Sequence, residues 1–158
     1  MKILMDADCL IKLTKAGIKK SVCRHYEIFI PDIVQKEVVD AGKIKGYSDA
    51  DLVARNIEAG IIKIAKGSLS YADGDHALIE LFKEGGYEKV ATDDAKLTRL
   101  LKLTAVPFIF PGLLIYSLYQ NGLIDQTAVM KWLDRLSAFI SDDEYNMVKL
   151  LLEKSHES

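Results

Sequence analysis

Short apolar segments alternate with segments of helical pattern from Lys2 to Phe110, and this alternation constrains the fold more than any other feature. The five predicted strands are Lys2–Met5, Tyr26–Ile30, Ile61–Ala65, Glu88–Thr92 and Pro107–Phe110. Helical segments separate them, including Asp32–Ala41 after Pro31 and a helix that begins at the N-cap Ser48. Strands alternating with helices favour right-handed crossovers and a parallel sheet covered on both faces. We therefore predict a three-layer α/β/α fold around a central, mainly parallel sheet of about five strands.

The pattern from Pro111 onward is helical only. Asn121-Gly122 ends the first of these helices, and two more are expected around Trp132 and Val148. A length of 158 residues suits one domain with a substantial core. We predict a catalytic core at residues 1–110 and a C-terminal helical extension at residues 111–154, packed on the same domain.

Charge and composition restrict the class of function. The net charge is −2 and the two cysteines form no metal-binding cluster, and neither a signal peptide nor a membrane span is expected. These features predict a cytoplasmic protein with no membrane partner. A nucleic-acid role would need a local basic surface or metal ions that join acidic residues to phosphate. One basic run, either a phosphate-binding surface or a solvated helix face, consists of Lys12, Lys15, Lys19, Lys20, Arg24 and His25.

Acidic residues cluster at predicted strand ends and helix starts. These residues are Asp6 and Asp8 after the first strand, Asp73 and Asp75 before a helix, and Asp93 and Asp94 after the fourth strand. Ligands of open parallel α/β sheets bind outside the carboxyl ends of the strands, so we expect these acids at one edge of the sheet. Glu37 shares an apolar helical face with Val34 and Val38, where a carboxylate is costly unless it is paired.

Two interpretations of the acids remain open. Asp8, Asp73 and Asp93 are each placed to be helix N-caps, a structural role that Asp often has. Several carboxylates at one sheet edge, however, would repel one another unless a cation joined them. Oxygen ligands without Cys or His suit Mg²⁺ or Mn²⁺, and such a site can activate water for phosphodiester hydrolysis.

Four motifs resemble those of PIN domains, a family that includes the toxin ribonucleases of VapC-like toxin–antitoxin pairs. In chain order they are Ile3–Ile11, Pro31–Val38, Gly74–Ile79 and Val90–Asp94. The segments Asn121–Ile124 and Ile140–Tyr145 resemble the C-terminal helices of a prokaryotic PIN subgroup. The resemblance implies a PIN-like fold and cleavage of single-stranded or structured RNA. It also implies a homodimer and an antitoxin protein as possible partners.

The resemblance also implies roles for individual residues. The acidic pocket with catalytic function would consist of Asp6, Glu37, Asp75 and Asp94. Asp6 and Asp75 would be the main metal ligands, joined by Asp94 and assisted by Asp93. Asp8 and Thr92 would hold the ligands in position.

Two alternative functions fit parts of the sequence. One is a catalytically silent PIN module that binds RNA or a protein. The other is a haloacid-dehalogenase-type phosphatase, in which Asp6 would be the phosphorylated nucleophile and Asp8 the general acid. The phosphatase would use Asp93 and Asp94 for Mg²⁺ but would give Glu37 no task.

Overall fold

The structure is a computed structural model that describes residues 1–36, 54–55, 57–67 and 73–156. Its sheet has five strands, β1 (Lys2–Met5), β2 (Glu27–Pro31), β3 (Ile62–Ala65), β4 (Lys89–Ala91) and β5 (Phe108–Ile109). All neighbouring strands are parallel, in the order β3-β2-β1-β4-β5. The predicted parallel sheet of five strands is therefore confirmed.

Eight helices lie in the part of the chain that the structure describes. They are α1 (Ala7–Lys15), α2 (Lys19–His25), α3 (Asp32–Gln35), α4 (Gly74–Glu84), α5 (Ala95–Leu103), α6 (Pro111–Gln120), α7 (Gln126–Leu136) and α8 (Asp142–His156). The helix predicted after Pro31 is observed as α3. Its predicted continuation, with Glu37, and the predicted N-cap Ser48 lie outside the described residues.

The alternation of side chains along β1 divides the core between the two faces of the sheet. Ile3 and Met5 belong to one buried cluster and Leu4 to another, as expected for successive residues of a strand. The first cluster also contains apolar residues of α1, α2, α6, α7 and α8, whereas the second contains residues of α4 and α5. Both faces are thus covered by helices, and the predicted three-layer α/β/α architecture is confirmed.

The strand order reverses between β1 and β4, which are neighbours at the centre of the sheet. Helix α1 follows β1 and buries Leu10 on one face, whereas α5 follows β4 and buries Leu97 on the other. The two connections therefore leave the sheet in opposite directions and open a crevice at its carboxyl edge. Ligands of open α/β sheets bind in such a crevice.

The C-terminal helices pack on the same face of the sheet as α1. Leu114, Leu133 and Val148 are fully buried in the cluster that contains Leu10. The division of the chain between residues 110 and 111 stays a prediction. None of the helices in the described part of the chain combines the length and hydrophobicity needed to cross a bilayer.

Candidate active site

Asp6 lies at the carboxyl end of β1, in the crevice. It is the N-cap of α1, since its extended backbone directly precedes Ala7 and its Oδ1 accepts a hydrogen bond of 2.8 Å from the Cys9 amide. Its Oδ2 accepts a short hydrogen bond from the Thr92 hydroxyl. The side chain of Thr92 is fully buried, and Asp6 is only 8% exposed. Thr92 thus makes a direct hydrogen bond to Asp6, and its role in positioning a metal ligand stays a prediction.

Burial raises the pKa of Asp6 from 3.8 to about 7. The hydrogen bonds from Thr92 and Cys9 act in the opposite direction, and the negative charges of Asp8 and Asp93 raise the pKa further. Asp6 is therefore a desolvated carboxyl group among other carboxylates, an environment that a nearby cation would stabilise.

The segment Thr92–Asp94 follows β4 and carries the acids of the fourth motif. Two hydrogen bonds fix its backbone. The Thr92 amide donates to the Ile109 carbonyl (3.0 Å), and the Asp94 amide donates to Thr92 Oγ1 (3.1 Å). Asp94 is the N-cap of α5, since its Oδ1 accepts a hydrogen bond of 2.7 Å from the Leu97 amide. Its side chain remains exposed. The adjacent Asp93 does not cap α5 but contacts Lys12 of α1.

Lys12 of α1 joins two of the acids. Its ammonium group lies 2.8 and 2.9 Å from the two carboxylate oxygens of Asp93 and 3.0 Å from Asp8. Burial by itself would lower the pKa of Lys12, but the hydrogen bonds to Asp93 and Asp8 outweigh it and raise the pKa. Lys12 therefore stays charged and ties Asp93 to α1.

Asp75 lies in the first turn of α4, on the other side of the crevice. It is partly buried, and burial raises its pKa, as do the nearby charges of Asp73 and Asp94. Asp73 is the N-cap of α4 and accepts hydrogen bonds from the amide of His76 (2.9 Å) and its ring Nδ1 (2.8 Å). The charge of Asp94 thus acts on Asp75, and the four-acid pocket stays a prediction. Glu37, its fourth acid, lies outside the described residues.

The structure corrects two of the three N-caps considered from the sequence. Asp73 has the predicted capping role, but Asp8 and Asp93 do not, because α1 begins directly at Ala7 and α5 at Ala95. The caps are the neighbouring residues Asp6 and Asp94. Asp6 and Asp94 are also two of the predicted catalytic acids. An aspartate can serve both as a cap and as a ligand, because a cap uses one lone pair of one carboxylate oxygen and leaves the other lone pairs free.

Two residues that the sequence did not place in the site lie beside its acids. Lys12 was placed in a general basic run, whereas it is the partner of Asp93. Glu144 of α8 is 5% exposed, and its Oε2 accepts a hydrogen bond of 2.9 Å from the Gly112 amide. Both lie on a cavity of about 360 Å³ next to Asp93, which is also lined by Phe110, Ser141, Asp143 and Met147. Glu144 lies at helical spacing from Val148 and Leu152 and so belongs to an apolar helical face. This pattern is the sequence signal that could have identified Glu144 as a residue of interest.

The donor chemistry of this crevice fits a hard divalent cation. Asp6, Asp75 and Asp94 offer carboxylate oxygens, the ligands preferred by Mg²⁺ and Mn²⁺. Burial first, and then the charges of neighbouring carboxylates, raise the pKa of both Asp6 and Asp75, so their ionised forms are destabilised when no cation is bound. Within residues 1–36, 54–55, 57–67 and 73–156, no three His, Cys, Asp or Glu side chains come close enough together to bind one metal ion.

Comparison with known families identifies the class of this protein. The fold, with acids gathered at the carboxyl edge of the sheet, is that of a PIN domain, and the chain belongs to the PIN-domain family. The matching family is DUF3368, described as a PIN domain, and its match covers residues 2–154. The match therefore includes the C-terminal helices as well as the sheet. PIN domains are generally nucleases that use divalent metals. No curated protein matches the sequence significantly.

Replacing Lys12 by Met should destabilise the metal-free protein. The substitution removes the cation that contacts Asp8 and Asp93, and hydrogen bonds to charged groups contribute about 1.5–3 kcal/mol. We expect a loss of about 1–3 kcal/mol in the free energy of unfolding, measured by urea titration in EDTA at pH 7. The exposed Lys131 of α7 provides the control, because Lys131→Met should change stability by less than about 0.5 kcal/mol. Equal stability of the two variants would show that the contacts of Lys12 contribute little.

Proposed function

We propose that this PIN-domain protein is a divalent-metal-dependent ribonuclease that hydrolyses RNA phosphodiester bonds at Asp6, Glu37, Asp75 and Asp94. The observation that carries the proposal is the desolvated Asp6, held by Thr92 at the switch point of a PIN-type sheet. Mg²⁺ or Mn²⁺ is the proposed cofactor, with Asp6 and Asp75 as main ligands, Asp94 as a further ligand and Asp93 assisting.

The residues of the crevice have distinct parts in this proposal. Thr92 and the Cys9 amide orient Asp6 through hydrogen bonds to its two oxygens. Lys12 fixes Asp93, and Asp8 supports Lys12 from the same helix. A bound divalent cation would supply a water molecule of lowered pKa and neutralise charge on the scissile phosphate. In the overall reaction the water oxygen adds to phosphorus, one P–O ester bond breaks, and the leaving oxygen takes up a proton.

The proposed partners rest on the resemblance to VapC-like proteins. They are an RNA that is single-stranded or structured, a second copy of the chain in a homodimer, and an antitoxin protein if the protein is a toxin. A cytoplasmic location is part of the same prediction.

A catalytically silent module that binds RNA or protein is the second candidate function. The observation in its favour is Lys12, whose ammonium already neutralises part of the acidic cluster at Asp8 and Asp93. The phosphatase is not favoured, since the chain belongs to the PIN-domain family and a phosphatase would give Glu37 no task.

A substrate panel distinguishes these functions. Purified protein is incubated in Mg²⁺ or Mn²⁺ with end-labelled single-stranded RNA, hairpin RNA, single-stranded DNA and p-nitrophenyl phosphate. The proposal predicts cleavage of at least one RNA and no release of p-nitrophenol. Hydrolysis of the phosphate monoester without RNA cleavage would favour the phosphatase. Retention of RNA in a gel-shift assay without cleavage would favour the silent module.

A further inference from the structure

Glu144 is a buried carboxylate on a helix that is otherwise polar at its start. It lies in the first turn of α8 at helical spacing from Val148 and Leu152, which are both buried. Its neighbours Asp142 and Asp143 are exposed. A carboxylate on an apolar face is costly unless it is hydrogen-bonded, so its contacts should explain its position.

One contact of Glu144 is with the first turn of α6. The Gly112 amide donates to Oε2 at 2.9 Å, so the carboxylate satisfies one of the free N–H groups at that helix terminus. A Cβ atom at position 112 would lie 3.1 Å from the same Oε2 and 3.0 Å from Cγ2 of Val148. The glycine therefore allows α8 to pack closely enough against α6 for Glu144 to reach its amide.

The other side of Glu144 faces the crevice. Glu144, Asp93 and Lys12 line the same cavity, and after burial the negative charge of Asp93 is among the causes that raise the pKa of the Glu144 carboxyl group. Lys12 contacts both oxygens of Asp93 from α1. Asp93 thus shares this cavity with the cation that binds it, from the first helix, and with a carboxyl group from the last helix.

We infer that Glu144 is a positioning residue of the active site, which acts through Asp93 on the segment Thr92–Asp94. The inference rests on the proposed nuclease function. It makes α8, which also covers one face of the sheet, a part of the active site, although the helix lies about 50 residues beyond the last predicted catalytic acid. Capping of the Gly112 amide needs only a hydrogen-bond acceptor, whereas the electrostatic effect on Asp93 and Lys12 depends on the charge of Glu144.

The substitution Glu144→Gln separates these two roles. The Gln carbonyl keeps an acceptor for the Gly112 amide, but the negative charge beside Asp93 is lost. Residues that support metal ligands typically change metal affinity or activity about 10–100-fold when they are replaced. We expect the Mn²⁺ concentration for half-maximal cleavage to change by at least about 10-fold, with the KM for RNA within about twofold of wild type. Glu153→Gln, at an exposed position of the same helix, is the matched control and should behave as wild type.

Calorimetric titration of the metal-free proteins with Mn²⁺ keeps the test independent of cleavage. A folded Glu144→Gln protein with wild-type turnover, metal dependence and Mn²⁺ affinity would overturn the inference and leave Glu144 as a cap. If wild type cleaves no RNA but binds Mn²⁺ with an affinity that Glu144→Gln alters, the ribonuclease proposal fails and the positioning role stands. A wild type that neither cleaves nor binds Mn²⁺ would overturn both.

A second measurement uses the unaltered chain, in case Glu144→Gln is poorly folded. Substoichiometric Mn²⁺ should broaden the amide NMR signals of Gly112 and Glu144 more strongly than that of Glu153. Glu153 is nine positions beyond Glu144 in the helix, which corresponds to about 13.5 Å. Equal broadening of all three signals, or none, would contradict the position assigned to Glu144.

Discussion

Asp6→Asn and Asp75→Asn should each reduce metal-dependent RNA cleavage by at least about 10³-fold. Metal ions contribute several kcal/mol to stabilisation of a phosphoryl transition state, and each 1.36 kcal/mol corresponds to a factor of ten in rate. Asn keeps the shape of Asp6 and an acceptor for the Cys9 amide, and the Thr92 hydroxyl can rotate to accept from the new amide. The loss should therefore come from the missing charge and not from unfolding.

The measurement is single-turnover cleavage of one labelled RNA in saturating Mn²⁺, with the fold of each variant checked by circular dichroism. Asp142→Asn, an exposed position of α8, is the control and should retain wild-type activity. Residual cleavage above about one tenth of wild type in either variant would remove that residue from the catalytic centre.

Asp6→Asn should also make the metal-free protein more stable at alkaline pH. The pKa of Asp6 is raised from 3.8 to about 7 by burial, so the folded protein binds more protons at this site than the unfolded chain between those pH values. The contribution of Asp6 to folding therefore becomes less favourable as the pH rises from about 4 to about 7, and Asn removes that penalty. We expect a gain of roughly 2–4 kcal/mol at pH 8, which shrinks by half or more at pH 5.

Urea unfolding in EDTA at the two pH values measures this gain as the difference between wild type and Asp6→Asn. The contribution of Glu144, whose pKa is also raised to about 7 by burial, is present in both proteins and largely cancels. A variant that is less stable than wild type at pH 8, or whose gain does not change with pH, would contradict the assigned pKa. The expected combination of a lost activity and a gained stability is typical of functional carboxylates held in unfavourable surroundings.

The sheet could be predicted from the sequence because its signals are local. Each strand is a short apolar run next to a turn or helix signal, as in Lys2–Met5 and Glu27–Pro31, and the alternation with helices determines parallel pairing. The position of Asp6 follows in the same way, since the residue after a central parallel strand lies at the carboxyl edge of the sheet.

The parts of the site that could not be predicted depend on contacts between distant segments. The pairing of Lys12 with Asp93 spans 81 residues and requires α1 to face the loop after β4. The contact of Glu144 with Gly112 spans 32 residues and requires α8 to pack on α6. Glu144 had the same local signal as Glu37, a carboxylate on an apolar helical face, but a local pattern does not indicate which element lies opposite. Whether Asp6 or Asp8 is the N-cap likewise depends on which residue begins the helix, and sequence patterns locate that residue only to within a few positions.

Restoration of activity by metal is the measurement that tests the proposed function most directly. Wild-type protein and Asp6→Asn are stripped with EDTA, dialysed, and titrated with Mg²⁺ or Mn²⁺ while cleavage of a labelled RNA is followed. The metal-dependent ribonuclease predicts no cleavage by the stripped wild type, recovery on addition of either metal, and no recovery in Asp6→Asn. Cleavage that persists in EDTA, or that metal restores equally in both proteins, would contradict a catalytic metal site at Asp6.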